Sequence, residues 1–119
     1  MLRCVDLADV PIRMGGLDAV ADWADILSVS EQQLLQFARL LLARCGLVVI
    51  DEGSSALSVP AETRLYGMLA DLGATVVSAG HRPSLPAYHD KVLRLRGGGL
   101  WVVEAISKAR KAEPVAHSL

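Results

Sequence analysis

Cysteine is scarce in this 119-residue chain. Only Cys4 and Cys45 occur, too few for a disulfide framework or a cysteine-based zinc site. Both are expected to be core thiols in a reducing compartment, which places the chain inside a cell. No charge of one sign dominates, since 12 Lys+Arg face 13 Asp+Glu. That balance excludes binding to nucleic acid by bulk electrostatics, and no nucleic-acid partner is expected. Long hydrophobic runs are missing as well. The best candidate, Phe37 to Ile50, is interrupted by Arg39 and Arg44, whereas a membrane span needs about 20 largely apolar residues. The opening MLRCVDLADVP, with one Arg and then two early aspartates, is not a signal peptide.

What is present is apolar: 52% of the residues, with a mean hydropathy of +0.37. A small domain has little interior to hide such a composition. The sequence therefore predicts that part of its surface is buried against something outside this chain.

The first 26 residues read poorly. Leu2, Val5, Leu7 and Val10 suggest a short helix or irregular segment ended by Pro11, and Gly15-Gly16 makes a turn. From Ser30 the pattern sharpens. Leu34, Phe37, Ala38, Leu41, Leu42 and Cys45 fall on one face of a helix, with Gly46 placed to stop it. The unbroken run Leu47–Ile50 predicts a strand covered on both faces, as in parallel sheets. Ser58 caps a second helix with Pro60 in its first turn. Its stripe is Ala61, Leu65, Met68, Leu69 and Leu72, and Gly73 ends it. Strands follow at 74–78 and at Lys91–Leu95, and Gly97-Gly98-Gly99 turns the chain into Leu100–Val103. This alternation predicts an α/β layer with a parallel core. A tail from Ser107, carrying Lys108, Arg110, Lys111 and Pro114, is expected to be disordered.

Three segments carry candidate chemistry. Asp51-Glu52 closes the strand Leu47–Ile50, and ligand sites in open α/β sheets lie beyond the carboxyl ends of strands. Four apolar residues followed by two acids match the Walker B pattern, although two acids can also just mark a strand end. Leu27-Ser28-Val29-Ser30-Glu31 precedes the first helix. Ser28 with Glu31, or Ser30 with Gln33, has capping-box spacing, and the same helix N-terminus is able to receive an anion. His81 lies past the strand at 74–78, where it could reach the site of Asp51 and Glu52 and hydrogen-bond a terminal phosphate.

In order and spacing, LSVSEQQ, LVVIDEGSSALS and SAGHR resemble the signature, the Walker B motif with its D-loop, and the switch-histidine loop of ATP-binding cassette (ABC) proteins. The Ser28-to-Asp51 separation is 23 positions and the Asp51-to-His81 separation is 30, and FARLLLA resembles the helix joining signature to Walker B. The resemblance covers roughly residues 15–103. GGLDAVADWADILS, SALS in place of the usual SALD, GHRPSL and the terminal hairpin with Trp101 are similar to subfamily D. That group comprises half-transporters of peroxisomal and lysosomal membranes together with related bacterial fused permease–ATPases.

The resemblance implies the C-terminal part of a P-loop (RecA-like) ATPase domain over residues 1–106, with a parallel sheet, flanking helices and a remnant of the helical signature subdomain. It implies ATP and magnesium as cofactors of the intact family. Asp51 would be the magnesium-side carboxylate, Glu52 the general base and His81 the γ-phosphate switch. Ser28, Ser30 and Glu31 would face ATP held by a partner. The implied partners are a second nucleotide-binding domain, identical or not, and a transporter's membrane domain. The implied place is the cytosolic face of a membrane, peroxisomal or lysosomal in a eukaryote and the plasma membrane in a bacterium.

The motifs also depart from the family pattern. No GxxxxGK[ST] occurs, and in the family that loop carries most of the triphosphate affinity. Ser30 stands at the signature's second glycine, Leu34 replaces a polar or basic residue, and Ser58 replaces the D-loop aspartate. Alone, the chain is therefore expected not to hydrolyse ATP. It is expected to be a fragment or truncated gene product of a transporter. The alternatives are an inactive module that pairs with a complete cassette, or a piece of a non-transport ABC ATPase.

Overall fold

The computed structural model describes residues 1–107. Beyond Ser107, the tail expected to be disordered lies outside the described residues. The chain forms two compact units, the first Met1–Ala79 and the second from Gly80 onward.

The first unit is built around a helix whose start is set by local chemistry. Ser28 is extended, and its hydroxyl accepts the N–H of Glu31 while the Glu31 carboxylate accepts the N–H of Ser28. Two of the four donors that a helix start leaves open are thus satisfied. The helix runs Val29–Ala43. It is the third α-helix (α3), after α1 (Val10–Met14) and α2 (Trp23–Ile26). It ends earlier than Gly46 suggests. Arg44 takes the left-handed conformation at φ 49°, and Gly46 instead accepts the first cross-strand bond, from Thr75 N–H. The buried stripe is narrower than the periodicity implies. Phe37, Ala38 and Leu41 are buried, whereas Leu42 is exposed. Cys4 and Cys45 are exposed too, which corrects their reading as core thiols.

Strand β1 (Leu47–Asp51) pairs in parallel with β2 (Thr75–Ala79), in register from Leu47↔Thr75 to Asp51↔Ala79. Between them α4 (Val59–Asp71) makes the return, capped by Ser58 and carrying Pro60 in its first turn as expected. Phe37 of α3 meets Tyr66 of α4 edge to face, with ring centroids 5.9 Å apart, a favoured aromatic geometry. Leu65 and Leu69 complete the α4 side of the core. Each such side chain stabilises the fold by roughly 1.5–3 kcal/mol relative to exposure.

Two expectations need correction here. Leu2–Val5 is a 3-10 turn, and Pro11 opens α1 instead of ending a segment. That unpromising stretch supplies Val5 and Leu7, among the most deeply buried residues. Second, within the first unit β1 is covered on one face only. Val48 and Ile50 are buried, but Leu47 and Val49 are 62% and 70% exposed, and Val77 across from Val49 is 53% exposed.

In the second unit a 3-10 turn, Leu85–Tyr88, precedes an antiparallel hairpin of β3 (Lys91–Leu95) and β4 (Trp101–Ala105). Gly97, Gly98 and Gly99 all carry positive φ at its turn, and Arg94 pairs with Glu104 across the strands. Among the described residues β3 pairs with β4, and the parallel pairing is that of β1 with β2. Among the described residues no helix is long and apolar enough to cross a membrane.

An uncovered apolar sheet face promotes association. Exchanging the cross-strand pair with Val49→Lys and Val77→Glu is expected to raise the monomer fraction in light scattering and to leave the far-UV circular dichroism unchanged. Association at the wild-type level would show that this face is not the adhesive one.

Candidate functional site

The end of β1 is where the sequence places its acids, and the backbone there is constrained. Asp51 is the last paired residue of the strand and is exposed. Glu52 N–H extends the parallel ladder by one rung, donating to Ala79 C=O at 2.8 Å. The chain then turns sharply, with Glu52 at φ 51°, a left-handed conformation that disfavours a residue with a Cβ. Gly53 completes the turn in a tight place. A Cβ there would lie 2.6 Å from Ile50 Cγ2. Beside the turn is a cleft of about 230 Å³ lined by Gln36, Phe37, Leu40, Val49, Ile50, Asp51 and Gly53.

The loop after Glu52 is fastened from both helices. From α3, the Gln33 amide donates to Glu52 C=O (3.2 Å) and to Ser55 Oγ (2.9 Å), and it accepts Ala56 N–H (2.9 Å). From α4, Glu62 reaches Ser54 Oγ at 2.6 Å. Both Ser54 and Glu62 are buried, so this hydrogen bond forms where water does not compete. Helical periodicity had left Glu62 off the apolar stripe. Its burial is invisible in the sequence because the partner lies eight residues away in a loop. Gln33 was legible only as part of a cap.

At the α3 N-terminus, Ser28, Ser30 and Glu31 form one connected group. Ser28 Oγ and Ser30 Oγ are 3.1 Å apart. Arg13 of α1 binds Glu31 at 2.7 Å and Asp9 at 2.9 Å. The Glu31 carboxyl is held below its ordinary value of 4.5, first by the Ser28 backbone N–H and then by the Arg13 guanidinium. Gln32 ties the same turn to α2 through Ala24 C=O and Leu27 C=O. The Ser28 hydroxyl is thus engaged within the helix start.

The structure therefore brings Asp51 and Glu52 together at one strand end, and it gathers Ser28, Ser30 and Glu31 at one helix end. His81 follows β2 by two residues, belongs to the second unit and is an exposed residue. Among the described residues no group of three His, Cys, Asp or Glu side chains could hold a metal by itself. A single exposed carboxylate beside a cleft fits magnesium, which takes one or two carboxylates and completes its shell with water and phosphate oxygens.

No protein-family model matches the chain. Among curated proteins it is 46% identical over 107 residues to the mouse lysosomal cobalamin transporter ABCD4, covering 88% of this chain and 18% of that protein. It is 40% identical over 106 residues to an uncharacterized ABC transporter ATP-binding protein of Synechocystis, covering 89% and 16%. To ABC transporter D family member 2, chloroplastic, of Arabidopsis thaliana it is 43% identical over 94 residues, covering 79% and 13%. The chain belongs to the ATP-binding cassette family, as the C-terminal part of its nucleotide-binding domain. The relatives it matches are mostly of subfamily D, and it spans less than a fifth of the length of each of these three.

Two predictions follow from this geometry. A carboxyl with a lowered folded pKa adds stability above its unfolded value, and that stability is lost as pH falls through the folded one. Protection of the α3 amides is therefore expected to drop on acidification below about pH 4.5, and to drop less steeply in Glu31→Gln. An identical slope would assign the acid sensitivity to other carboxylates. At the turn, Gly53→Ala is expected to destabilise the first unit by about 1–3 kcal/mol in urea unfolding. A change within error would mean that Ile50 moves aside freely.

Proposed function

We propose that the chain is the water- and magnesium-handling portion of a transporter's ATPase domain, which couples ATP hydrolysis to movement of a solute across a membrane. It corresponds to the sheet-and-helix part of a P-loop NTPase over residues 1–106. One observation carries the reading. The parallel ladder ends at Asp51↔Ala79 and Glu52, so two acidic residues leave the sheet at its carboxyl end beside a cleft. Open α/β sheets bind ligands in that place.

In this reading Asp51 holds the magnesium side of the nucleotide, directly or through water. Glu52 orients the attacking water and accepts its proton. When bound, the ion neutralises charge on the phosphate oxygens. His81, at the end of the neighbouring strand, hydrogen-bonds the terminal phosphate. Ser28, Ser30 and Glu31 act in trans, presenting the α3 N-terminus to ATP held by a second cassette. Ser30 and Glu31 keep that end organised through the cap. Ser58 retains the capping role that an aspartate would fill at the start of α4, while removing its charge. The cytosolic face of a membrane is the setting, with a membrane domain and a second cassette as partners. Cobalamin belongs to the name of the mouse relative and is not carried over to this chain.

A second reading starts from the built cap at the α3 N-terminus, where Ser28, Ser30 and Glu31 are joined. The chain would then lend its α3 face to a complete cassette without cycling ATP itself. Both readings predict that isothermal titration of Mg-ATP into the chain gives no tight binding. They separate when residues 15–106 replace the matching stretch of the Synechocystis protein. Under the first reading the chimera hydrolyses ATP, and Glu52→Gln lowers turnover by roughly 100-fold or more with ATP still bound. Full turnover in Glu52→Gln would remove Glu52 as the base, and a chimera that binds but never turns over would favour the second reading.

A further inference from the structure

We propose that Gln33 is a positioning residue that holds the Glu52 turn and links it to the α3 N-terminus. The functional consequence rests on the reading of Glu52 as general base. The geometry of the link does not.

Glu52 sits at φ 51°, and a side chain bearing a Cβ stays there only when its surroundings specify it. The strand supplies one constraint, through Glu52 N–H to Ala79 C=O at 2.8 Å. The far side of the same residue is set by its carbonyl, which accepts the Gln33 amide at 3.2 Å and Ser55 N–H at 3.3 Å. The Gln33 amide also bonds Ser55 Oγ and Ala56 N–H, both at 2.9 Å. One side chain thus uses both its donor and its acceptor groups on three successive parts of the loop.

Gln33 is also only two residues beyond Glu31 and three beyond Ser30, within the first turns of α3. The cap joins Ser28 to Glu31 and Ser30, and Ser30, Glu31 and Gln33 belong to one continuous helix. A displacement of the helix start is therefore delivered to the Glu52 carbonyl through a single amide. In a paired cassette, occupancy of the α3 N-terminus by the partner's nucleotide would bear on Glu52 in this chain's own site. The second fastening, Glu62 to Ser54, holds the loop to α4, whereas Gln33 bonds the Glu52 carbonyl itself.

The test combines amide exchange on the full chain with kinetics in the chimeric cassette. Gln33→Leu keeps the bulk and removes every hydrogen bond. It is expected to lower protection at Ala56 and Ser55 about tenfold and to leave the amides of α4 unchanged. Gln33→Glu keeps an acceptor for Ala56 N–H and has no N–H for the Glu52 carbonyl. Ala56 protection is therefore expected to survive in Gln33→Glu while Ser55 protection falls. Loss of protection throughout the first unit, or no change at Ala56 in Gln33→Leu, overturns the proposal.

In the chimera, Gln33→Leu is expected to lower kcat about 10–100-fold with the KM for ATP unchanged. An unchanged kcat in Gln33→Leu alongside a stalled Glu52→Gln also overturns it, while leaving the role of Glu52 intact. If Glu52→Gln itself turns over normally, the reading of the site fails, and the exchange pattern alone decides the clamp.

Discussion

The parallel pairing of β1 with β2 is the constraint on which the rest of the first unit depends. Two parallel neighbours cannot be joined by a hairpin, so the chain must leave the end of β1, cross and return. α4 is that return, and the loop from Glu52 to Ser58 is its beginning. Because the ladder runs one rung past the strand, through Glu52 N–H to Ala79 C=O, the turn at Glu52 is anchored before the loop begins. The left-handed backbone at Glu52 and the tight turn at Gly53 both follow from that anchor. The chain must reverse direction within one residue of a hydrogen-bonded position, directly over Ile50.

Around this pairing the polar and apolar parts cooperate. Phe37, Tyr66, Leu65 and Leu69 bring α3 and α4 together. That packing places Gln33 and Glu62 where they can fasten the loop from two sides. The buried Glu62–Ser54 bond is specific because an unsatisfied carboxylate in that position would be costly. On the other face of the sheet the first unit leaves Leu47, Val49 and Val77 exposed.

Much of this was legible because it is local. The Ser28–Glu31 cap, the α3 periodicity through Phe37, Ala38 and Leu41, the strand before Asp51 and the cap at Ser58 each rest on residues a few positions apart. Boundaries were less legible. Arg44, and not Gly46, ends α3, since a left-handed residue adjacent to the last turn suffices and glycine is not required. The N-terminal segment read poorly because its order comes from contact with α3, not from its own periodicity. Cys4 and Cys45 read as core residues by type, but burial is settled by neighbours.

By itself, the sequence determined the chemical inventory and its order along the chain: a capped helix start, a strand ending in two acids, a second capped helix, and a histidine after the next strand. Local hydrogen bonding and period suffice for these, because each is decided within about one turn or one strand. Only the tertiary structure decided which groups meet. It placed Glu52 in a left-handed turn under the Gln33 amide, buried Glu62 against Ser54, and left one face of an apolar strand uncovered. Those outcomes depend on packing between segments 8 to 23 residues apart, which no local pattern encodes.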